Sequence, residues 1–247
     1  MREPAELPTT GDADIAALAA LLGDPARCKV LLALGDGRAL PASVLADEAG
    51  ISRSTASSHL GKLTVRAHGR HRYYRLAGPE IADLLERLGR LAPQRPVRSL
   101  REGTNAARLR TARTCYDHLA GKLGVAIMGS LLERDVLVGG DGRYAPLRDR
   151  NDALSSQGRE VNYEITESGR AFLVDVGIEL PSGRRPVVRY CIDWTEQRHH
   201  LSGALGRGVL DRFVSAGWVK RGSRGRAVMV TDRGRTALDG CFGIDWT

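Results

Sequence analysis

Two stretches of this chain repeat one another. CYDHLAGKLG occupies residues 115–124 and CIDWTEQRHHLSGALG occupies residues 191–206, so a Cys-x-Asp precedes His-Leu-small-Gly-x-Leu-Gly in both. The similarity runs on: LGVAIMGSLLERDVLV from Leu123 aligns without gaps to LGRGVLDRFVSAGWVK from Leu205, and ITESGRAFL from Ile165 aligns to VTDRGRTAL from Val230. The offset is 82 between His118 and His200 and falls to 65 between Ile165 and Val230. An internal repeat with one longer loop, DGRYAPLRDRNDALSSQGREV, accounts for both values. Each copy reads as a helix, a strand or turn, and a strand ending in Thr166 or Thr231 that leads into another helix. Two related halves packed about a pseudo-twofold are the expected outcome.

A chain of 247 residues has room for two or three domains, each with its own core. Hydrophobic residues make up 42% and charged residues 27%, a globular balance, and no run approaches the roughly 18 to 20 apolar residues that cross a bilayer. The opening stretch MREPAELPTTGDADIAALAALLGD mixes acids into its apolar part and lacks the layout of a secretory signal. A cytoplasmic protein without membrane association is expected. Cys28, Cys115, Cys191 and Cys241 are too widely spread for a disulfide framework and read as reduced thiols. The net charge of +8 favours a polyanionic partner, and its distribution narrows the choice. Between Ala49 and Pro79 there is no Asp or Glu, while Arg53, Lys62, Arg66, Arg70, Arg72 and Arg75 all fall there.

That basic block lies on a readable succession of elements. ADIAALAALL carries Ile15, Leu18, Leu21 and Leu22 at helical spacing, with Asp12 as the expected cap. Asp24 caps PARCKVLLALGDG, with Pro25 at the first helical position and Gly35 and Gly37 after the run. PASVLADEAG starts on Pro41 and stops at Gly50, and ISRSTASSHLGKL opens on Ser52. Two short helices joined by AGIS make a helix-turn-helix pattern. In the second of them Ala56, Leu60 and Leu63 face inward, leaving Arg53, Ser54, Thr55, Ser57, Ser58, His59 and Lys62 for phosphates and base edges. TVRAHGRHRYYRLAG then alternates like a hairpin about His68, Gly69 and Arg70, with Tyr73, Tyr74 and Leu76 anchoring the return strand.

In DPARCKVLLALGDG, LADEAGISRSTASSHLGKL and GRHRYYRLAG, over roughly residues 12–92, the chain resembles the ArsR/SmtB family of winged-helix transcriptional repressors. The resemblance implies a homodimer that sets the helix beginning at Ser52 into successive major grooves of a double-stranded DNA operator. It implies Ser54, Thr55, Ser57, Ser58 and His59 at the groove, and Arg53, Lys62, Arg66, Arg70 and Arg72 at phosphates or the minor groove, with Ser52 and His71 on the same surface. Dimerisation would use the first helix and residues 79–91, where Ile81, Leu84, Leu85, Leu88 and Leu91 form an apolar stripe that also reads as intrachain core. The chain departs from the family in two places. Lys62-Leu63 runs almost directly into Thr64-Val65, either a trimmed turn or a chain lacking residues there. PASVLADEAG and PEIADLLERLGRLA, where metal-binding members carry their ligands, contain neither Cys nor His, and Cys28 lacks the partner that thiol-sensing members place on the last helix.

Beyond the winged helix, residues 93–114 read as a linker and connecting helix in which Pro93 and Pro96 break the preceding helix and the arginines stay solvated or touch DNA. A helix from about Thr104 through NAARLRTARTCYDHLAG would put Cys115 and His118 on one face. The x-T-x-x-G-R-x-x-L form after a strand, with GWVKRGSRGRAVMVT, is similar to the wing and exit helix of MarR-like and PadR-like winged helices. The expected fold is thus mainly α with small β-wings, an α+β chain. It has a winged helix-turn-helix domain at 1–92 and winged-helix-like halves at 115–180 and 181–247.

For the repeated Cys115, His118, Cys191 and His200 three readings stand open. The first is plain scaffold, with Cys as a small core residue and Asp as a helix cap or partner to a linker arginine. The second is a four-ligand set for zinc or another thiophilic metal, which requires that a twofold bring the two halves' Cys and His together, with Asp117 and Asp193 orienting the imidazoles. Thiol oxidation or an organic ligand is the third, for which Tyr116, Tyr190, Trp194, Phe213 and Trp218 supply a pocket lining. The leading function is a dimeric repressor whose second half receives an effector. The alternative is an architectural DNA-binding protein using Lys220, Arg221, Arg224 and Arg226 as the charges of a further wing. Catalysis is not expected: Cys115, Asp117 and His118 on one helical turn cannot surround a substrate carbonyl, and no phosphate-cradling loop, nucleophile elbow or dinucleotide fingerprint occurs.

Overall fold

A computed structural model describes residues 13–60, 73–93, 96, 99–144, 161–222 and 225–247. The first helix, α1 (Ile15–Leu22), is capped by Asp14, which accepts from Ala17 N at 2.9 Å, and not by Asp12, which lies outside the described residues. Asp24 caps α2 (Pro25–Leu34) in the same way, from Arg27 N at 2.8 Å. A short β1 (Leu40–Pro41) leads into α3 (Ala42–Ala49), which stops on Gly50 in the left-handed conformation. Ser52 opens α4 (Arg53–Leu60) by accepting from Thr55 N at 3.1 Å. Tyr73–Tyr74 forms β2, paired antiparallel with β1, and α5 (Pro79–Leu91) closes this unit. Val30, Leu34, Leu45, Ala56, Leu60, Tyr74, Leu76 and Leu85 are its core. The rest of the expected wing, with Lys62, Leu63, Arg66, Arg70, His71 and Arg72, lies outside the described residues.

The connecting helix α6 (Leu100–Thr111) starts on the cap Ser99, earlier than expected, and ends before Cys115. The helix expected through CYDHLAG does not form; the chain makes β3 (Arg113–Cys115) and β4 (His118–Ala120) instead. Pairing on both edges explains the outcome. Besides the β3–β4 ladder, Thr114 N of β3 donates to Arg226 O at 2.9 Å, and Ala112 O just before β3 accepts from Val228 N at 3.0 Å. These distant partners override the local helical spacing.

Next come α7 (Gly121–Glu133), β5 (Leu137–Val138), β6 (Glu164–Ile165) and α8 (Glu167–Val176). The same order of hairpin, helix, hairpin and helix follows in β7 (Arg189–Ile192), β8 (His199–Ser202), α9 (Gly203–Ser215), β9 (Val219–Arg221), β10 (Val228–Val230) and α10 (Asp232–Phe242). Among the described residues every sheet is an antiparallel pair of strands. Thr166 and Thr231 occupy matching posts. Their hydroxyls cap α8 and α10 from Gly169 N and Gly234 N at 2.8 and 3.0 Å, and their backbone N–H groups donate to Val136 O and Trp218 O. Leu123, Ile127, Leu131, Leu173, Leu205, Val209, Phe213, Leu238 and Phe242 merge into one core drawn from both sets. The mixture of helices with small sheets fits the α+β class, and no described helix is long and apolar enough to cross a membrane.

The N-terminal unit docks on this core through specific bonds. Tyr116 N, in the β3–β4 turn, donates to Gly35 O at the end of α2 at 2.6 Å. Arg38 donates to Gly222 O at 3.0 Å and Gly225 O at 2.7 Å beside the β9–β10 hairpin. The Trp194 ring lies against Gly89 of α5.

Candidate functional site

The outer face of α4 is polar and basic. Ala56 and Leu60 are buried beneath it, while Ser52, Arg53, Ser54, Thr55, Ser57 and Ser58 are exposed. No acid stands in its first turn, so the positive end of the helix dipole and Arg53 face outward together. Ser52 Oγ lies 2.8 Å from both Ser54 Oγ and Thr55 Oγ1, and Ser57 Oγ donates to Arg53 O at 3.0 Å. His59 departs from the expected arrangement. It is half-buried, with Nε2 3.8 Å from Asp24 Oδ1, and leans toward the start of α2. Arg226, counted from the sequence among the charges of a further wing, is buried and donates to Glu86 Oε1 at 2.7 Å. It is not available to phosphates.

The second assembly is made by two hairpins. Cys115 and His118 face each other across the β3–β4 ladder, closed by the two-residue turn Tyr116-Asp117 with Tyr116 at φ 57°. Cys191 and His200 face each other across β7–β8. These are cross-strand pairs and not helical neighbours, so sequence separations of three and nine residues give one geometry. The hairpins meet so that one ligand-type atom from each of Cys115, His118, Cys191 and His200 lies within 4.8 Å of the other three. The two imidazole centroids are 5.3 Å apart. Paired glycines permit this approach. A Cβ at Gly206 of α9 would stand 3.1 Å from His118 Cβ and 2.8 Å from Leu201 O; one at Gly124 of α7 would collide with Leu119 O and stand 3.4 Å from His200 Cβ. Each half's helix makes room for the other half's histidine.

Around the four side chains lies a matched pair of carboxylates. His118 Nδ1 meets Asp117 Oδ1 at 3.3 Å, and His200 Nδ1 approaches Asp193 Oδ2 at 3.4 Å without hydrogen-bond alignment. Each aspartate holds an arginine: Arg185 donates to both oxygens of Asp117, and Arg113 Nη2 donates to Asp193 Oδ2 at 3.0 Å. With Nδ1 of each ring turned toward a carboxylate, Nε2 of both histidines is buried without a hydrogen-bond partner. Orphaned polar atoms of that kind are unfavourable in an interior and ask for an occupant.

The electrostatics point the same way. Burial opposes charge on Asp117, but the His118 bond and Arg185 prevail and hold its carboxyl down to about 2. Asp193 is likewise held far below the carboxylate range, against burial, by His200 and Arg113. Burial resists protonation of His200, yet Asp193 and Cys191 raise it to about 9, and His118 rises against burial through Cys191 and Asp117. A hydrogen bond from Cys115 draws the Cys191 thiol well below its usual range despite burial; the same bond, with burial, pushes Cys115 up. A thiol that ionises readily, Cys191, and two basic imidazoles thus converge on one point. A set of two sulfurs and two imidazole nitrogens suits zinc or a softer ion.

Glu86 and Arg185 escaped the sequence reading, and Arg113 entered it only as one of the linker arginines that a repeated Asp could pair with. Arg113 ends the basic run RLRTAR and was expected to be solvated, yet it is 0% exposed. Its Nη2 also donates to Glu86 Oε2 of α5 at 3.2 Å, Nη1 donates to Leu109 O at 3.2 Å, and the guanidinium lies 4.9 Å from the Trp194 ring centre. Asp193 meanwhile accepts from Gly121 N at 2.6 Å, capping α7, whose own Ala120 supplies no side-chain cap. The repeated Asp after each Cys was the available signal, because a buried carboxylate requires a cation. The aromatic residues weighed as a pocket lining are not gathered about one space. Phe213 and Trp218 pack edge-on at 5.0 Å in the core, Tyr190 stacks on His199 at 4.1 Å, Trp194 lies against Gly89 and Tyr116 beside Gly37.

Residues 22–64, which hold α2, α3 and α4, match a family model described as a helix-turn-helix domain. Over 235 residues, covering 92% of this chain and 96% of the relative, the sequence is 40% identical to a Bacillus subtilis (strain 168) protein named Uncharacterized HTH-type transcriptional regulator YdfF. No solved structure matches the chain.

Proposed function

Because the chain belongs to the HTH-type transcriptional regulators, we propose that it is a homodimeric, sequence-specific repressor of the ArsR/SmtB kind. Its duplicated C-terminal region, with halves resembling MarR and PadR winged helices, receives an effector at the Cys115, His118, Cys191 and His200 cluster. The observation that carries the reading is the α4 face: six exposed hydroxyl and guanidinium residues at the end of a helix-turn-helix, inside a segment free of acids from Ala49 to Pro79. Residues 1–92 are the DNA-binding and dimerisation domain, 93–114 the connection, and 115–180 and 181–247 the two halves of the effector region.

Dimerisation is supported by uncovered apolar surface. None of the residues of α1, IAALAALL, is buried, with Ile15 73% exposed, and Leu91 of α5 is 83% exposed. A helix of that composition calls for a covering surface, and the symmetric solution is a second copy. The burial of Arg226 removes a phosphate contact on which the architectural alternative relied.

The test is selection of binding sites from random duplex DNA, followed by competition. The specific complex should survive an equal concentration of unrelated DNA, and log affinity should fall with log salt by about 0.9 per neutralised phosphate. Full competition by unrelated DNA, or a salt slope near zero, contradicts the proposal.

A further inference from the structure

We propose that Cys115, His118, Cys191 and His200 form a closed four-ligand site for one zinc-class ion, and that its occupancy is reported to α5 through Asp193, Arg113 and Glu86. The ion site stands on geometry alone; the consequence for DNA rests on the regulator reading above.

Three observations argue for the ion. The first is distance. In a tetrahedral zinc site with arms of about 2.3 Å to sulfur and about 2.0 Å to nitrogen, the donors lie about 3.3 to 3.8 Å apart. Donors already within 4.8 Å of one another reach that arrangement by closing at most about 1 to 1.5 Å at the widest pair. The second is the unpartnered Nε2 of both histidines, buried and left over once each Nδ1 has turned toward an aspartate. The third is charge. With the thiol and imidazole protons released to solvent on binding, two thiolates neutralise a dication and the imidazoles add no charge, while the surrounding aspartates are already balanced, Asp117 by Arg185 and Asp193 by Arg113. An ion enters this interior without leaving an uncompensated charge. The absence of carboxylate or carbonyl oxygen from the donor set argues against calcium and magnesium.

Each hairpin contributes one Cys and one His, so the ion ties the two halves of the effector region together. The path to the DNA-binding unit is short. His200 Nδ1 approaches the Asp193 oxygen that also accepts from Arg113, and the same Arg113 nitrogen donates to Glu86 in α5. An ion on Nε2 fixes the ring and makes Nδ1–H a stronger donor to Asp193. It thereby changes how Arg113 is shared between Asp193 and Glu86. Leu88 and Leu91 of α5 lie on the proposed dimer surface, so a shift in α5 alters the spacing of the two α4 helices.

The experiment uses the full-length, untagged chain under reducing conditions, with Zn(II) and Co(II) as probes. Elemental analysis should give one zinc per chain, and Co(II) should give the intense visible bands of a tetrahedral thiolate site. Cys191→Ser and His118→Gln should lose the ion, Cys191→His should regain it, and Cys28→Ser and Cys241→Ser should keep it. DNA affinity of the zinc-loaded and chelator-treated forms should then differ by about five- to 150-fold. Glu86→Gln should bind zinc at the same stoichiometry and lose most of that difference. A folded wild-type chain that takes up neither ion, or a Cys191→Ser chain that binds like wild type, overturns the site. Zinc uptake with unchanged specific DNA affinity overturns the link to α5. Zinc uptake without specific DNA binding in either form overturns the regulator reading and upholds the site, whereas specific DNA binding without ion uptake does the reverse.

Discussion

Asp193 is a single carboxylate asked to satisfy several elements at once. One oxygen accepts from Arg113, Gly121 N and stands beside His200; the other accepts from Thr195 N and Oγ1 and from Glu196 N. Replacing it with Asn leaves Arg113 buried with half its countercharge and weakens the cap of α7. Breaking a buried pair in this way costs roughly 3 to 5 kcal/mol. Asp193→Asn should therefore lower the unfolding free energy of the ion-free chain in urea by about 3 kcal/mol or more, and a loss under about 1 kcal/mol would show that water or rearrangement compensates. Glu86 gives a pH signature. Burial pushes its carboxyl up, but Arg226 and Arg113 outweigh burial and hold it below its ordinary 4.5. A carboxylate with a lowered folded pKa contributes stability that is complete above its unfolded pKa, about pH 4.5, and fades as pH falls through the folded value. Urea midpoints measured from pH 7 to pH 3 should fall on the acid side for wild type and fall less for Glu86→Gln. Parallel acid limbs would contradict this.

Helix boundaries in this chain are written locally, and those were legible. Asp24 with Pro25, Gly50, Ser52, Thr166 and Thr231 each act within one turn of where they stand, so their roles follow from neighbouring residues. At α1 the choice between Asp12 and Asp14 differed by two residues, within the uncertainty that fraying creates. β3 and β4 were not legible, because the groups that bond Ala112 and Thr114 come from Arg226 and Val228, more than a hundred residues on. The same distinction divides the candidate site. The repeat exposes its four Cys and His residues, while the buried bridge from Arg113 to Glu86 joins the linker to α5 and leaves no local pattern. Exposed apolar surface on α1 and α5 makes a further prediction. Leu18 is 46% exposed, and the double change Leu18→Glu, Leu91→Glu should convert the proposed dimer to monomers in sedimentation velocity without unfolding the chain. A dimer that persists places the interface elsewhere.

The architecture is a helix-turn-helix unit seated on a core drawn from two successive sets of hairpin, helix, hairpin and helix. Specific bonds join them among the described residues: Tyr116 to Gly35, Arg38 to the loop after β9, and Glu86 to Arg113 and Arg226. The Tyr116 bond springs from the hairpin turn that separates Cys115 from His118, so the cluster touches the N-terminal unit both through α5 and through the end of α2. On the proposed function, an effector bound where the two hairpins converge would reach the helix-turn-helix unit by these short routes. Everything in that account depends on the two hairpins sharing one ion. X-ray absorption at the zinc edge of the zinc-loaded chain examines this most directly. Two sulfurs at about 2.3 Å and two nitrogens at about 2.0 Å are the expected ligands. A shell of nitrogen and oxygen alone, or of four sulfurs, would place the ion elsewhere and contradict the convergence of Cys115, His118, Cys191 and His200.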